Sequence, residues 1–200
     1  MILIESQYFP PLSSFIYLYK EKHIGIPLYE KFRKMGFQNR CMIPTSNGVS
    51  ILSVPLRGGR DANRLLTEVM IDNSQRWQTR HWRTLTAAYN RSPFFEFQAD
   101  ELRVLYETRF DLLYEWNLAC LTWLLKGFGR SGTRVDLVSE KGAGEVRGRV
   151  LSKQHTVQGL VKDLPVYQQV FGERQGFIPN MSSIDLLFCV GKEGLTLFSD

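Results

Sequence analysis

Between Ala99 and Lys126 apolar side chains recur every three or four residues: Leu102, Leu105, Leu113, Trp116, Cys120 and Leu124. That spacing places them on one stripe of a helix with polar residues behind it. Gly127 and Gly129 follow as stop signals. A second helix is predicted from Ser74, a good N-cap, to about Asn90, where Pro93 biases Ser92 away from helical geometry. Trp77, His81, Leu85, Ala88 and Tyr89 share its inner face.

Short apolar runs of strand length lie outside these helices. Ile2–Ile4 reads as a buried strand, stopped by Pro10-Pro11, and Ser13 or Ser14 then caps a helix through Tyr19. Ile26–Tyr29 is a candidate second strand. Cys41–Ile43 and Ile51–Pro55 flank Ser46-Asn47-Gly48, where Asn-Gly tolerates positive φ at both positions and predicts a hairpin. Val69–Ile71 is a further candidate. Helices interleaved with strands predict an α/β fold: one domain over residues 1–200 with a central mixed sheet flanked by helices. Residues 130–160 are rich in Gly, Ser, Lys and Arg; only Val135–Val138 resembles a strand, and the rest reads as an irregular or mobile excursion.

The 200 residues suffice to bury a real core, and 44% apolar with 22% charged residues is ordinary globular composition. The net charge of +5 is scattered among acidic residues, densest at Lys31–Lys34 and on to Arg40. That stretch reads as a solvated face or an anion site. Without an arginine-rich arm, zinc-finger spacing or an aromatic RNA-binding motif, nucleic acid is not an expected partner. Three widely spaced cysteines, Cys41, Cys120 and Cys189, suggest reduced thiols in a cytoplasmic protein. The opening apolar run is too short for a signal peptide, and no run approaches the roughly 18 apolar residues of a membrane span.

Several polar residues stand where chemistry could use them. His81, on the apolar face of its helix, is either a satisfied core residue or a general acid/base. His23 and His155 have no partner at metal-ligand spacing, so no metal site is expected. Asn117 sits on the apolar stripe, where it either ties a loop or lines a pocket. Gln38, Asn39 and Arg40 precede a strand and are placed to tie a loop or bind anionic or sugar groups. Cys41 could be a nucleophile only with a base beside it. In Gly176–Phe188, Asn180 or Ser182 can cap a helix, and Ser182 with Asp185 has capping-box spacing. Asp185 could instead orient a hydroxyl or a cation. Walker, Gly-x-Ser-x-Gly and Gly-x-Gly-x-x-Gly motifs are absent from the sequence.

Five segments taken in order carry a family resemblance. Tyr8-Phe9-Pro10-Pro11, Asn39-Arg40-Cys41, His81-Trp82, Ala88 to Phe95 and Gly176 to Phe188 resemble the WbqC-like family, in the arrangement of its short, Bacteroidetes-type members. Longer members carry Gln-Pro after the first strand, where this chain has Glu5-Ser6. Some members occur among bacterial O-antigen or other surface-polysaccharide genes. The resemblance thus implies a cytoplasmic transferase acting on a polar small molecule, a sugar- or nucleotide-containing precursor, with no cofactor indicated and an oligomer allowed. Its expected site has His81 and Asp185 as catalytic groups and Asn39, Arg40, Tyr89, Asn117, Asn180 and Ser182 as substrate-binding groups. The competing expectation is a non-catalytic binding or assembly module docking through Phe94, Phe95 and Phe97.

Overall fold

The apolar run at the start becomes the centre of a sheet. In the computed structural model, which describes residues 1–59, 63–142, 146–147 and 164–198, β1 (Ile2–Ile4) lies between β2 (His23–Pro27) and β6 (Val146–Arg147). The outer strand beyond β2 is β5 (Arg134–Val138), and all three pairings are parallel. A central parallel strand is covered on both faces, which is why β1 needs no polar alternation. Gly25 lets β2 approach β1: a Cβ there would stand 2.7 Å from Leu3 Cδ2. The second strand therefore starts earlier than expected, on the near side of that glycine.

The hairpin forms as expected, with β3 (Arg40–Thr45) antiparallel to β4 (Gly48–Ser53). Gly48 alone takes positive φ in its turn, at 98°, while Asn47 does not. Helices and strands interleave as the α/β reading requires, with the antiparallel pair standing as its own two-stranded sheet.

The helices bring three corrections. First, α1 is only Leu12–Phe15, capped from elsewhere in the chain rather than by Ser13 or Ser14, which lie inside it. Second, α2 (Trp77–Tyr89) starts after Ser74, whose N–H and hydroxyl both donate to Asp72 Oδ1. Third, the long helix is two: α3 (Phe95–Glu107) and α4 (Leu113–Gly127). The stripe still faces inward on both sides of the break, which periodicity cannot see. Tertiary pairing makes it: Ile71 N–H donates to Asp111 O and Leu113 N–H to Val69 O. Val69–Ile71 thus acts as a clip of isolated bridges rather than a strand.

The short α5 (Gly172–Gln175) precedes α6 (Ser183–Val190), and a 3₁₀ segment over Gly191–Phe198 closes the described chain. Trp77, Tyr89, Leu102, Trp116, Leu124 and Phe188 belong to one buried cluster with Ile4 and Phe9. Most of the expected irregular stretch, 143–145 and 148–163 with His155, lies outside the described residues.

Candidate functional site

The first and last of the segments that carried the resemblance meet at residues 9–13. Leu12 N–H donates to Met181 O, and Ser13 N–H donates to Asn180 Oδ1 at 2.8 Å. Asn180 therefore caps α1, 167 residues away in sequence. In return Ser182 Oγ donates to Phe9 O and Ser183 Oγ to Pro10 O, both at 2.8 Å. Ser182 also begins α6, its Oγ accepting from Ile184 N–H, and its own N–H donates to Met42 O. Phe9 and Asn180 take left-handed φ of 42° and 56° to make this double latch. Such geometry is costly for an aromatic residue and tolerable for asparagine.

Asn180→Ala is expected to lower stability by about 1–2 kcal/mol, from the lost cap and the left-handed backbone. Asn180→Gly keeps the backbone easy and removes the side chain with its cap. Denaturant unfolding of both variants separates the shares; a glycine variant as stable as wild type would show that the cap contributes nothing.

Asp185 does not complete a capping box. It is fully buried, and its carboxylate accepts from Tyr89 Oη at 2.8 Å, Tyr167 Oη at 2.6 Å and Gln169 Nε2 at 2.8 Å. Cys189 Sγ lies 3.9 Å away. Burial raises the Asp185 pKa against the pull of these donors, and burial together with Asp185 pushes the Cys189 thiol up. Gln169 is itself pinned, its amide donating to Ile178 O and accepting from Ile178 N–H.

His81 belongs to a different cluster. Tyr8 Oη lies 3.0 Å from its Nδ1 and also bonds Tyr106 Oη. Trp77 packs edge-on to the imidazole. Burial first, then Arg80, lowers the His81 pKa to about 4, with only the Ser53 backbone opposing. The ring is therefore neutral at pH 7, and it is only 5% exposed. Eight residues of helix separate His81 from Tyr89, about 12 Å of rise, so the expected catalytic pair occupies two clusters. Asn39 ties the hairpin, its Nδ2 donating to Val54 O, and lines a shallow hollow with Arg40. Cys41 is fully buried, its thiol pushed up to about 12 by burial.

Asn117 leads to residues that sequence reasoning passed over. Its Nδ2 donates to Ser6 Oγ at 3.0 Å and Gln38 O at 2.8 Å, and its Oδ1 has no partner among the described residues. It lines a pocket with Glu5, Ser6 and Gln7, walled by Leu18 and Ile26 and by Leu118 and Leu121 of α4. The pocket encloses about 300 Å³ with its mouth, and its interior has room for about one water molecule. Glu5 is 4% exposed; its carboxylate accepts from Gln7 Nε2 at 3.0 Å and pairs with Arg33 Nε at 3.8 Å. These residues continue β1 past its carboxyl end, beside the end of β2. Ligands of open parallel sheets bind there. A signal was present: three polar residues, Glu5, Ser6 and Gln7, directly follow a wholly apolar strand with no Gly or Pro before Pro10.

Of the three exposed aromatics expected, one is buried. Phe95 is buried against Trp82, Tyr89 and Phe188, leaving Phe97 exposed and Phe94 at the margin. Among the described residues no helix is long and apolar enough to cross a membrane.

Fold and site together define an α/β protein with a polar pocket at the carboxyl end of its central parallel strand. Comparison with known proteins is more specific. Residues 6–159 match the WbqC-like protein family, and the chain belongs to it. It is also similar to the uncharacterised protein Rv1507c of Mycobacterium tuberculosis, 26% identical over 192 residues covering 82% of this chain and 81% of that one. No solved structure matches the chain.

Proposed function

We propose that this protein is a cytoplasmic group transferase acting on a sugar- or nucleotide-containing precursor of bacterial surface polysaccharide, O-antigen type. The observation that carries the reading is one pocket, its interior of water-molecule size, lined by both Glu5 and Asn117, whose Oδ1 has no partner among the described residues. A hydroxyl oxygen is the size of a water oxygen. An acceptor hydroxyl entering there meets two acceptors for its proton. Glu5 takes that proton as general base while the oxygen attacks the donor, whose leaving group departs with the bonding electrons. Ser6 and Gln7 orient the acceptor, and Asn39 and Arg40 bind a more distant part of it.

In this reading His81 is a positioning residue, holding Tyr8, three residues beyond Glu5. Asp185 lies outside the pocket and holds Tyr89 and Gln169 in a separate buried cluster. Asn180 and Ser182 fix the turn that follows the pocket. Three free cysteines, two of them fully buried, suit a reducing compartment.

Purified protein incubated with a panel of nucleotide sugars and polyol acceptors is expected to form a mass-shifted acceptor. Glu5→Gln is expected to lower kcat by about 100-fold or more, with the thermal midpoint and acceptor KM little changed. Turnover by Glu5→Gln at the wild-type rate, or no product from any donor, would overturn the assignment.

A further inference from the structure

A second cleft lies on another face of the chain, between the end of α2 and the residues before and within α5. It encloses about 1030 Å³ with its mouth and is lined by Arg91, Ser92, Gln168, Gln169, Glu173 and Arg174 among others. A shallower extension, also lined by Arg91, continues along Thr86, Ala87 and Ala88 of α2 and Asn90 just after it. The side chains of Arg91 and Arg174 have no hydrogen-bond or ion-pair partner among the described residues. Both are exposed, so their charge is available to a ligand without breaking an existing pair.

The buried Gln169 in this cleft is held by hydrogen bonds on two sides, by Ile178 and by Asp185. The Cys189 thiol stands beside the same carboxylate. Ser92 Oγ donates to Tyr89 O, and Tyr89 donates to Asp185. The Asp185 cage thus fixes the backbone that carries Arg91 relative to Gln169. Two guanidiniums against the single carboxylate of Glu173 leave the cleft with a surplus positive charge. Planar guanidinium forks suit phosphate oxygens, and the exposed Gln168 amide offers donors and an acceptor to hydroxyls.

We propose that this cleft binds a phosphate monoester, the phosphate between Arg91 and Arg174 and a polar body along Gln168. The inference is independent of the acceptor pocket at β1, so the two can fail separately.

The test is calorimetric titration of the full chain at low salt with inorganic phosphate, a hexose 1-phosphate and the unphosphorylated hexose. Saturable binding of the phosphate-bearing probes is expected, weakening at least tenfold in Arg91→Gln and in Arg174→Gln. Both positions are exposed, so an unchanged thermal midpoint verifies that each variant is folded. Glu173→Gln is expected to tighten binding, and added salt to weaken it. Tighter binding of hexose 1-phosphate than of phosphate identifies a sugar phosphate as the ligand; equal binding identifies free phosphate; either supports the site. No saturable binding by wild type in the millimolar range would overturn it. So would affinities unchanged in both arginine variants, or hexose bound as tightly as its phosphate.

Discussion

Asp185→Ala is expected to lower the stability of the fold by about 3–5 kcal/mol, enough to unfold a marginal domain. The carboxylate has no exposed surface and accepts from two tyrosine hydroxyls and a glutamine amide. Removing it strands these donors in the core, each at a cost of about 1–3 kcal/mol, and leaves a cavity besides. Water entering the void recovers part of that, so the costs do not sum in full. Asp185→Asn keeps the shape but supplies a donor where Gln169 already donates, and an intermediate loss of about 2 kcal/mol is expected. Tyr89→Phe removes one donor and leaves Tyr167 and Gln169 in place, with an expected cost of about 1–2 kcal/mol. Urea unfolding of the three variants checks the ordering. An alanine variant within 1 kcal/mol of wild type would mean that the cage does not hold the fold.

Acidification below neutral pH is expected to cost about 3 kcal/mol through His81 alone. In the folded chain its pKa is lowered from 6.5 to about 4, chiefly by burial and then by Arg80. Between those values the unfolded chain binds the proton and the folded chain does not, so stability rises with pH across that window. The contribution is complete above about pH 6.5, declines as pH falls and is flat below about pH 4. Two and a half pH units correspond to about 3 kcal/mol. Asp185 works in the opposite sense: its raised pKa means the folded chain takes up a proton first, so its contribution falls as pH rises just above the ordinary carboxylate range. The clean measurement is therefore a difference. Urea unfolding of wild type and His81→Gln from pH 4 to 7 should give lines that converge toward pH 4. Parallel lines would show that His81 does not titrate in that window.

The two clusters also show how far a one-dimensional reading reaches. Spacing identified the inner face of α2, since Trp77, His81, Leu85, Ala88 and Tyr89 are all buried. It also found the buried stripe of α4, but ran α3 and α4 together, because Leu105 and Leu113 stand in helical phase across the break. Nothing between Thr108 and Leu112 encodes the clip made by Val69–Ile71, whose backbone groups lie some forty residues earlier in the chain. Asn180 was recognised as a capping residue, yet the helix it caps is at the opposite end of the sequence. Cap chemistry is local to a side chain; its target is not.

For the candidate site the division is sharper. Residue type and spacing marked Asn117 and His81 as polar groups in apolar company, Tyr89 as part of an inner helix face, and Ser182 and Asp185 as cap residues; all five are buried. Their partners were beyond reach. Tyr8 pairs with His81 across 73 positions, Tyr89 with Asp185 across 96, and Asn117 with Ser6 across 111. Glu5 escaped notice because a carboxylate after a strand ordinarily meets solvent. Tertiary packing over the end of β1, with α4, Leu18 and Ile26 around the same pocket and Arg33 beside the carboxylate, removes it from water. By itself, then, the sequence determined the family, the α/β class and which side chains would be costly to bury, because periodicity and residue chemistry are written locally. Which of those side chains meet, and which pocket they leave partly unsatisfied, was decided by the tertiary structure, because hydrogen bonds depend on distance in space and not along the chain.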